Sequence, residues 1–441
     1  MAGSLLPRPQ DFMPHDNMHT RPPGVAAGAN TNRRIDDIEV LRAIAIIITL
    51  VAHIPYLLFW GDASYDRLSK YLSFLGGVDL FFAISGFVIA RDLIPRLRAA
   101  GSNAAFWRIT GAYWIRRAFR ILPSAWIWGC AGLLAAMFFN ESEAFGTVRG
   151  NLNSVVANVM QVANFHWWSC SIGLSDCGYN AIFWSLSVEE QFYVVLPLLY
   201  LVARRQFVAA LAILALAQAL APRAPWSLLW FMRTDALMLG VLLAIWSQRD
   251  TYRLYEPTFL RNRWVAGAAM TALLFCVLVL PENLPVGKIG VTPFPLGLLA
   301  LVCCIWVWIA SYNRGYILQV GWLKRICLWF GTRSFALYLI HIPVFYGVRE
   351  IYFCIEPAGT VFDKEFTLLF LASALPALLT IAELNYRLVE NPLRRRGAEI
   401  AARFLQDGAR SGWTKDRARK TARRLGSVLS RWVNRFGKPV A

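Results

Sequence analysis

Charge is what this sequence has least of. Only 16% of its 441 residues are Asp, Glu, Lys or Arg, against roughly 25% in soluble domains, and the mean hydropathy is +0.45. The apolar residues fall in runs of about 20, long enough to cross a bilayer as helices. An ordinary soluble globule is thereby excluded. A Cys-x-x-Cys pair is also missing. The eight cysteines are scattered, and Cys130, Cys276, Cys303, Cys304 and Cys327 sit in apolar runs, where a thiol behaves as a small hydrophobe. Nothing in that spacing predicts a metal or a redox centre. No apolar stretch precedes Ile35, so a cleavable signal peptide is not expected. Residues 1–34, rich in Pro, Gly and Asn, read as a disordered cytoplasmic leader. Internal repeats and a second folded domain are lacking as well.

What is present is a series of ten candidate spans, at about 38–60, 72–94, 121–139, 182–203, 207–222, 226–247, 264–280, 293–312, 329–349 and 366–387. An even number puts both termini on one side. With the N-terminus in the cytoplasm, 36 of the 45 Lys and Arg fall in inner segments and span ends. Seven fall outside, and Arg42 and Arg233 lie within spans. That asymmetry follows the positive-inside rule. The expected fold is an all-α, polytopic membrane helical bundle of about ten transmembrane helices, both termini cytoplasmic. Its membrane domain covers 35–393 and a basic cytoplasmic tail follows at 394–441. The tail holds 14 basic and three acidic residues. Within it Leu425, Val428, Leu429, Trp432, Val433 and Phe436 repeat at helical spacing, as in a helix lying on anionic headgroups. Topology and tail account for the net charge of +18. The lipid bilayer is the expected partner of this basic surface, and nucleic acid is not.

The longest outer loop, roughly 140–181, contains Phe165, His166, Trp167 and Trp168, then Cys170 and Cys177. On an oxidising face the two cysteines can close a small loop. The aromatic cluster can stack on a sugar ring or rest at the membrane interface, and the interface reading is preferred.

Polar groups inside the spans carry the functional signal, because a charged side chain at the bilayer centre costs roughly 2.5–3.5 kcal/mol on insertion scales. Span one, "LRAIAIIITLVAHI", holds Arg42 and His53. Eleven residues apart, they project within about 20° of one another and lie about 16 Å apart along the axis. Taken singly, Arg42 reads as an arginine snorkelling to headgroups and His53 as a hydrogen-bonded core histidine. Span two, "GGVDLFFAISGFVI", places Asp79 near the depth of His53, where a carboxylate would orient an imidazole. Gly76, Gly77 and Gly86 permit close helix approach. Span four, "FWSLSVEEQFYVVLPLL", carries Glu189 and Glu190, about 100° apart on the helix. Span six carries Arg233 and Asp235, for which an internal ion pair is the plain reading. In span nine Ser334, Tyr338 and His341 share one helical face. Before span three, "IRRAFRILP" sets Arg116, Arg117 and Arg120 at the cytoplasmic mouth. There a pair of guanidiniums can hold phosphate, or the three are ordinary inner-loop charge. The whole is a polar seam, cationic at its inner mouth, with a histidine and carboxylates higher up. It suits a membrane enzyme whose donor enters from the cytoplasm, or a transporter of an anion or glycan precursor. No inverted repeat favours the transporter.

Seven segments in order, over about residues 33–397, resemble the acyltransferase 3 family of bacterial membrane O-acyltransferases. They are "LRAIAIIITLVAH", "GGVDLFFAISGFVI", "IRRAFRILP", "WSLSVEEQFY", "RTDALMLG", "SFALYLIHIP" and "YRLVENP". The resemblance implies acetyl-CoA or another acyl-CoA as donor and no metal. It implies a carbohydrate hydroxyl as acceptor, on exopolysaccharide, lipopolysaccharide or another glycan, and residence in the bacterial inner membrane. It further implies function for Arg42, His53, Asp79, Arg116 or Arg117, Arg120, and Glu189 or Glu190. On that reading His53 is a general base or a transient acyl carrier, and Asp79 or a glutamate orients it. Arg116 and Arg120 hold donor phosphates. Many relatives carry a hydrolase-like domain after the last span; only 49 residues follow Pro392 here, so transfer directly to the acceptor or through an integral-membrane intermediate is expected.

Overall fold

The computed structural model describes residues 34–282 and 294–410. Among the described residues every regular element is helical. In chain order they are α1 (Asp36–Ala52), α2 (Ile54–Leu57), α3 (Ala63–Ser69), α4 (Gly77–Arg98), α5 (Asn103–Phe138), α6 (Val148–Val159), α7 (Ala163–Ser171) and α8 (Phe183–Ala203). There follow α9 (Phe207–Leu220), α10 (Leu228–Phe231), α11 (Asp235–Trp246), α12 (Arg263–Val279), α13 (Pro295–Ser311), α14 (Gly321–Ile355), α15 (Thr367–Asn385) and α16 (Asn391–Arg410). A helix lies in each of the ten predicted segments. Among the described residues five stretches are long and apolar enough to cross a membrane: Phe74–Arg98, Asn103–Phe138, Phe183–Leu220, Leu228–Trp246 and Lys364–Gln406. The protein is a helical membrane protein. The predicted amphipathic run at 425–436 lies outside the described residues.

Local chemistry sets the boundaries that matter for the site. Pro55 lacks an N–H and its ring would strike the carbonyl four residues back, so α1 stops at Ala52 and His53 occupies the break before α2. Ser102 caps α5 by accepting from Ala105 N at 3.2 Å. That helix has 36 residues, about 54 Å at 1.5 Å per residue, well beyond a hydrocarbon slab of about 30 Å. Its Asn103–Arg120 half packs on α16, with Gly111 against Phe404 and Phe119 against Gly397. Helix α16 runs through residue 394 without a break.

Glycines let the central helices touch backbone to backbone. A Cβ at Gly86 of α4 would collide with the Leu237 carbonyl of α11, and one at Gly240 with the Ala83 carbonyl. The expected close approach at Gly86 is therefore made against α11. In the same way Gly331 of α14 lies on the Glu39 carbonyl, and Gly77 of α4 lies on Ala45 and Thr49. Helix α1 is thus clamped between α14 and α4, which fixes where its two polar residues point.

Candidate active site

Three open cavities run in series along α14. The first, at the end of the bundle bearing Arg34 and Arg394, also takes Arg42, Arg120 and Glu390. The second is lined by Arg42, Arg117, Arg120, Ser185, Glu189 and Tyr193. The third holds His53, Tyr56, Trp184, Trp230 and Arg233. The first two share Arg42, Arg120, Ser334 and Phe335; the second and third share Val78 and Tyr338. The predicted face of α14 is the spine of this route. Ser334 lines its basic end and Tyr338 its middle, and His341 packs on His53.

The His53 site is an imidazole pair. Nδ1 of His53 lies 2.8 Å from the Thr49 carbonyl and Nδ1 of His341 lies 3.1 Å from the Leu337 carbonyl. A carbonyl only accepts, so both Nδ1 atoms carry hydrogen. Nε2 of His341 is then a lone pair, and it sits 3.2 Å from Nδ1 of His53. The His53 Nδ1–H is shared between Thr49 and His341, leaving His53 Nε2 as the basic nitrogen. The ring stacks on Tyr56, with centroids 5.4 Å apart. His341 is fully buried.

Asp79 does not orient His53. Its carboxylate accepts from Nε of Arg233 at 2.9 Å and from Nη2 at 3.2 Å. Arg233 also donates to the Trp230 carbonyl at 3.0 Å and lies over the rings of Trp184 and Trp230, at 4.6 and 4.2 Å. The ion pair expected between Arg233 and Asp235 is replaced by two cross-element pairs, Arg233 with Asp79 and Arg223 with Asp235 at 2.7 Å. The cause is the glycine contact of α4 with α11, which brings Asp79 under Arg233. The orienting partner that His53 was expected to find in a carboxylate is another histidine.

The arginines divide. Arg116 ion-pairs with Asp92 at 3.6 Å and lines none of the three cavities. Arg117 and Arg120 line the second cavity, with Arg117 set against the rings of Tyr113 and Tyr193 at 5.8 and 5.6 Å. Arg42 donates to Glu39 at 2.9 Å and still faces two cavities. The inward pair is therefore Arg117 with Arg120, not Arg116 with Arg120. Helix phase separates the glutamates too: Glu189 lines the second cavity, whereas Glu190 lines none of the three and leaves a buried Oε1 without a hydrogen-bond partner, within electrostatic reach of Arg117 and Arg120. Tyr338 Oη bonds Ser185 Oγ at 2.6 Å and donates to the Ile182 carbonyl at 3.1 Å, at the junction of the second and third cavities.

Glu390 was not singled out from the sequence. It is 4% exposed and ends a π-helical turn, Tyr386–Glu390, a distortion frequent at functional sites. Its signal was the "YRLVENP" segment. On the α6–α7 segment Cys170 and Cys177 are joined in the disulfide their spacing allowed. His166 lies beside them, and burial pushes its imidazole below the usual pKa. Sulfurs tied in a disulfide do not act as thiolate ligands.

A family model described as an acyltransferase domain matches residues 35–382. YrhL of Bacillus subtilis (strain 168) is 26% identical over 83% of this chain and 56% of that protein. The peptidoglycan O-acetyltransferase OatA of Listeria monocytogenes is 24% identical over 83% of the chain and 57% of its own length. The O-acetyltransferase OatA of Staphylococcus aureus (strain NCTC 8325 / PS 47) is 25% identical over 84% and 59%. The chain thus spans somewhat over half the length of the curated relatives it matches. No solved structure matches it. With the family model covering most of the chain and the polar seam built from the residues of its motifs, the chain belongs to the acyltransferase 3 family.

Proposed function

We propose that the chain takes an acetyl group from acetyl-CoA in the cytoplasm and places it on a hydroxyl of a surface, cell-wall or lipid-linked glycan at the outer face of the inner membrane. Both termini are cytoplasmic in this reading, as the charge asymmetry favours. The observation that carries it is the series of cavities joining an arginine-rich mouth to His53. Arg117, Arg120 and Arg42 bind the anionic groups of coenzyme A, and the thioester arm passes Tyr338. His53 Nε2 removes the proton of the acceptor hydroxyl as its oxygen attacks the thioester carbonyl. Collapse of the tetrahedral adduct breaks the C–S bond, and the imidazolium returns the proton to the departing thiolate. The His341 lone pair and the Thr49 carbonyl stabilise the imidazolium through its Nδ1–H. The names of the relatives support a carbohydrate acceptor.

The test uses the purified chain in proteoliposomes with labelled acetyl-CoA and glycan extracted from cells lacking the protein. Label in the glycan with matching release of free CoA is expected. Solute flux without acetyl-CoA, and no transfer, would favour a transporter instead. Within that assay Arg117→Ala and Arg120→Ala should each raise the KM for acetyl-CoA by about 10- to 100-fold, the worth of a hydrogen bond to a charged group. Arg116→Ala, which loses only its contact with Asp92, should change it by less than about threefold. Equal effects of all three substitutions would refute the assignment of the inward pair.

A further inference from the structure

The third cavity holds a feature the transfer chemistry does not use. Trp184, Trp230 and Trp226 form a continuous row of rings along it, with centroids 4.9 Å and then 4.8 Å apart. Trp184 and Trp230 are buried, but Trp226 is 52% exposed. Its backbone has φ +66°, the left-handed region that a bulky side chain rarely adopts. Such strain persists where the surroundings hold it, and it gathers at ligand sites. Ser171 Oγ lies 2.7 Å from the Trp168 carbonyl and 3.1 Å from the Trp226 carbonyl, so its single hydrogen is shared between α7 and the Trp226 backbone. Ser171 ends α7, next to Cys170 of the disulfide. The contact joins segments 55 residues apart. The same cavity is lined by the imidazole of His53 and the hydroxyls of Ser69 and Tyr56. An aromatic wall with hydroxyl and imidazole neighbours does not suit a lipid chain. It suits a pyranose, whose C–H face carries partial positive charge and lies on the negative face of an aromatic ring, while its rim hydroxyls meet polar groups.

We propose that Trp226 is the stacking platform for a pyranose ring of the acceptor glycan, holding that ring in the cavity where a hydroxyl reaches His53. The proposal rests on the acetyl-transfer reading above and names its acceptor subsite.

The test is transfer from labelled acetyl-CoA by the solubilised full chain, with total surface, cell-wall and lipid-linked glycan from cells lacking the protein as the titrated acceptor. Trp226→Leu should raise the glycan concentration for half-maximal rate about tenfold, as loss of one aromatic stack predicts. The KM for acetyl-CoA should stay within about twofold of wild type, because the donor meets other residues. Trp226→Phe, which keeps a ring, should lie within about threefold of wild type. Trp226→Gly separates binding from folding: glycine adopts φ +66° freely, so its thermal midpoint should match or exceed wild type while acceptor affinity falls as in the Leu variant. The proposal is overturned if the Leu and Gly variants keep wild-type half-saturation, or if Phe is as weak as Leu. It is equally overturned if the donor KM moves with the acceptor KM. If the wild-type chain labels no glycan at all, the acetyl-transfer reading itself falls, and this subsite with it.

Discussion

His53→Ala is expected to lower acetyl transfer by about 10²- to 10⁴-fold, the usual worth of general acid–base assistance, at matched protein amount in the membrane. The acetyl content of surface and cell-wall glycan should fall accordingly. The expectation rests on tautomers that the geometry assigns: with Nδ1–H shared by Thr49 and His341, Nε2 is the only nitrogen left to take a proton. His341→Ala removes one of two acceptors on that N–H and should cost less, about tenfold, in line with one ordinary hydrogen bond. His341→Gln offers an oxygen in place of the lost lone pair and should recover part of the rate. The loss in His341→Ala should appear in kcat, with the KM values for donor and acceptor nearly unchanged, since His341 lines neither substrate cavity. Undiminished acetylation in His53→Ala would remove His53 from the chemistry, and an equal collapse in His341→Gln would make the pair structural.

The second large effect concerns stability. Asp79→Ala leaves the Arg233 guanidinium, 2% exposed, without its carboxylate between two indoles. Breaking a buried pair on one side costs about 3–5 kcal/mol, a large share of the 5–15 kcal/mol that holds a typical domain together. The amount of folded protein in the membrane and its thermal midpoint in detergent should both drop. Removing both charges, as in Asp79→Leu with Arg233→Met, should recover most of that loss, because replacing a buried pair with apolar groups is often close to neutral. This experiment separates two roles for Asp79. A stable but inactive Asp79→Ala protein would place the carboxylate in the reaction. A depleted protein with a normal rate per folded molecule would leave it as the anchor of Arg233, which is what its bidentate contact indicates.

Much of the site was legible before any coordinates. Arg42 lies on α1 and His53 directly caps its end, so their shared side follows from 3.6 residues per turn, and both do line the cavities. The same arithmetic put Ser334, Tyr338 and His341 on one side of α14, and it separated Glu189 from Glu190. Helical periodicity is a property of a single element, and the spacing of residues along it is sufficient to read it. The disulfide was open to the same kind of reasoning, since a seven-residue separation permits closure.

Partner choice was not legible, because it depends on which helices touch and at what depth. Asp79 and Arg233 are 154 residues apart, and nothing local in either segment names the other. Their meeting is decided by glycine contacts that bring α4 onto α11, after which the strongest available pair forms and Asp79 is withdrawn from His53. In the same way, Gly331 on the Glu39 carbonyl brings α14 against α1 and gives His53 a histidine for a neighbour. Composition, hydropathy and helical phase by themselves determined that this is a helical membrane protein with a cationic mouth and an imidazole along one polar seam. Only tertiary packing decided which guanidiniums face inward, which carboxylate is neutralised, and that Trp226 stands over the cavity. Those outcomes are set by backbone-to-backbone distances between helices far apart in the chain, and no local pattern encodes such distances.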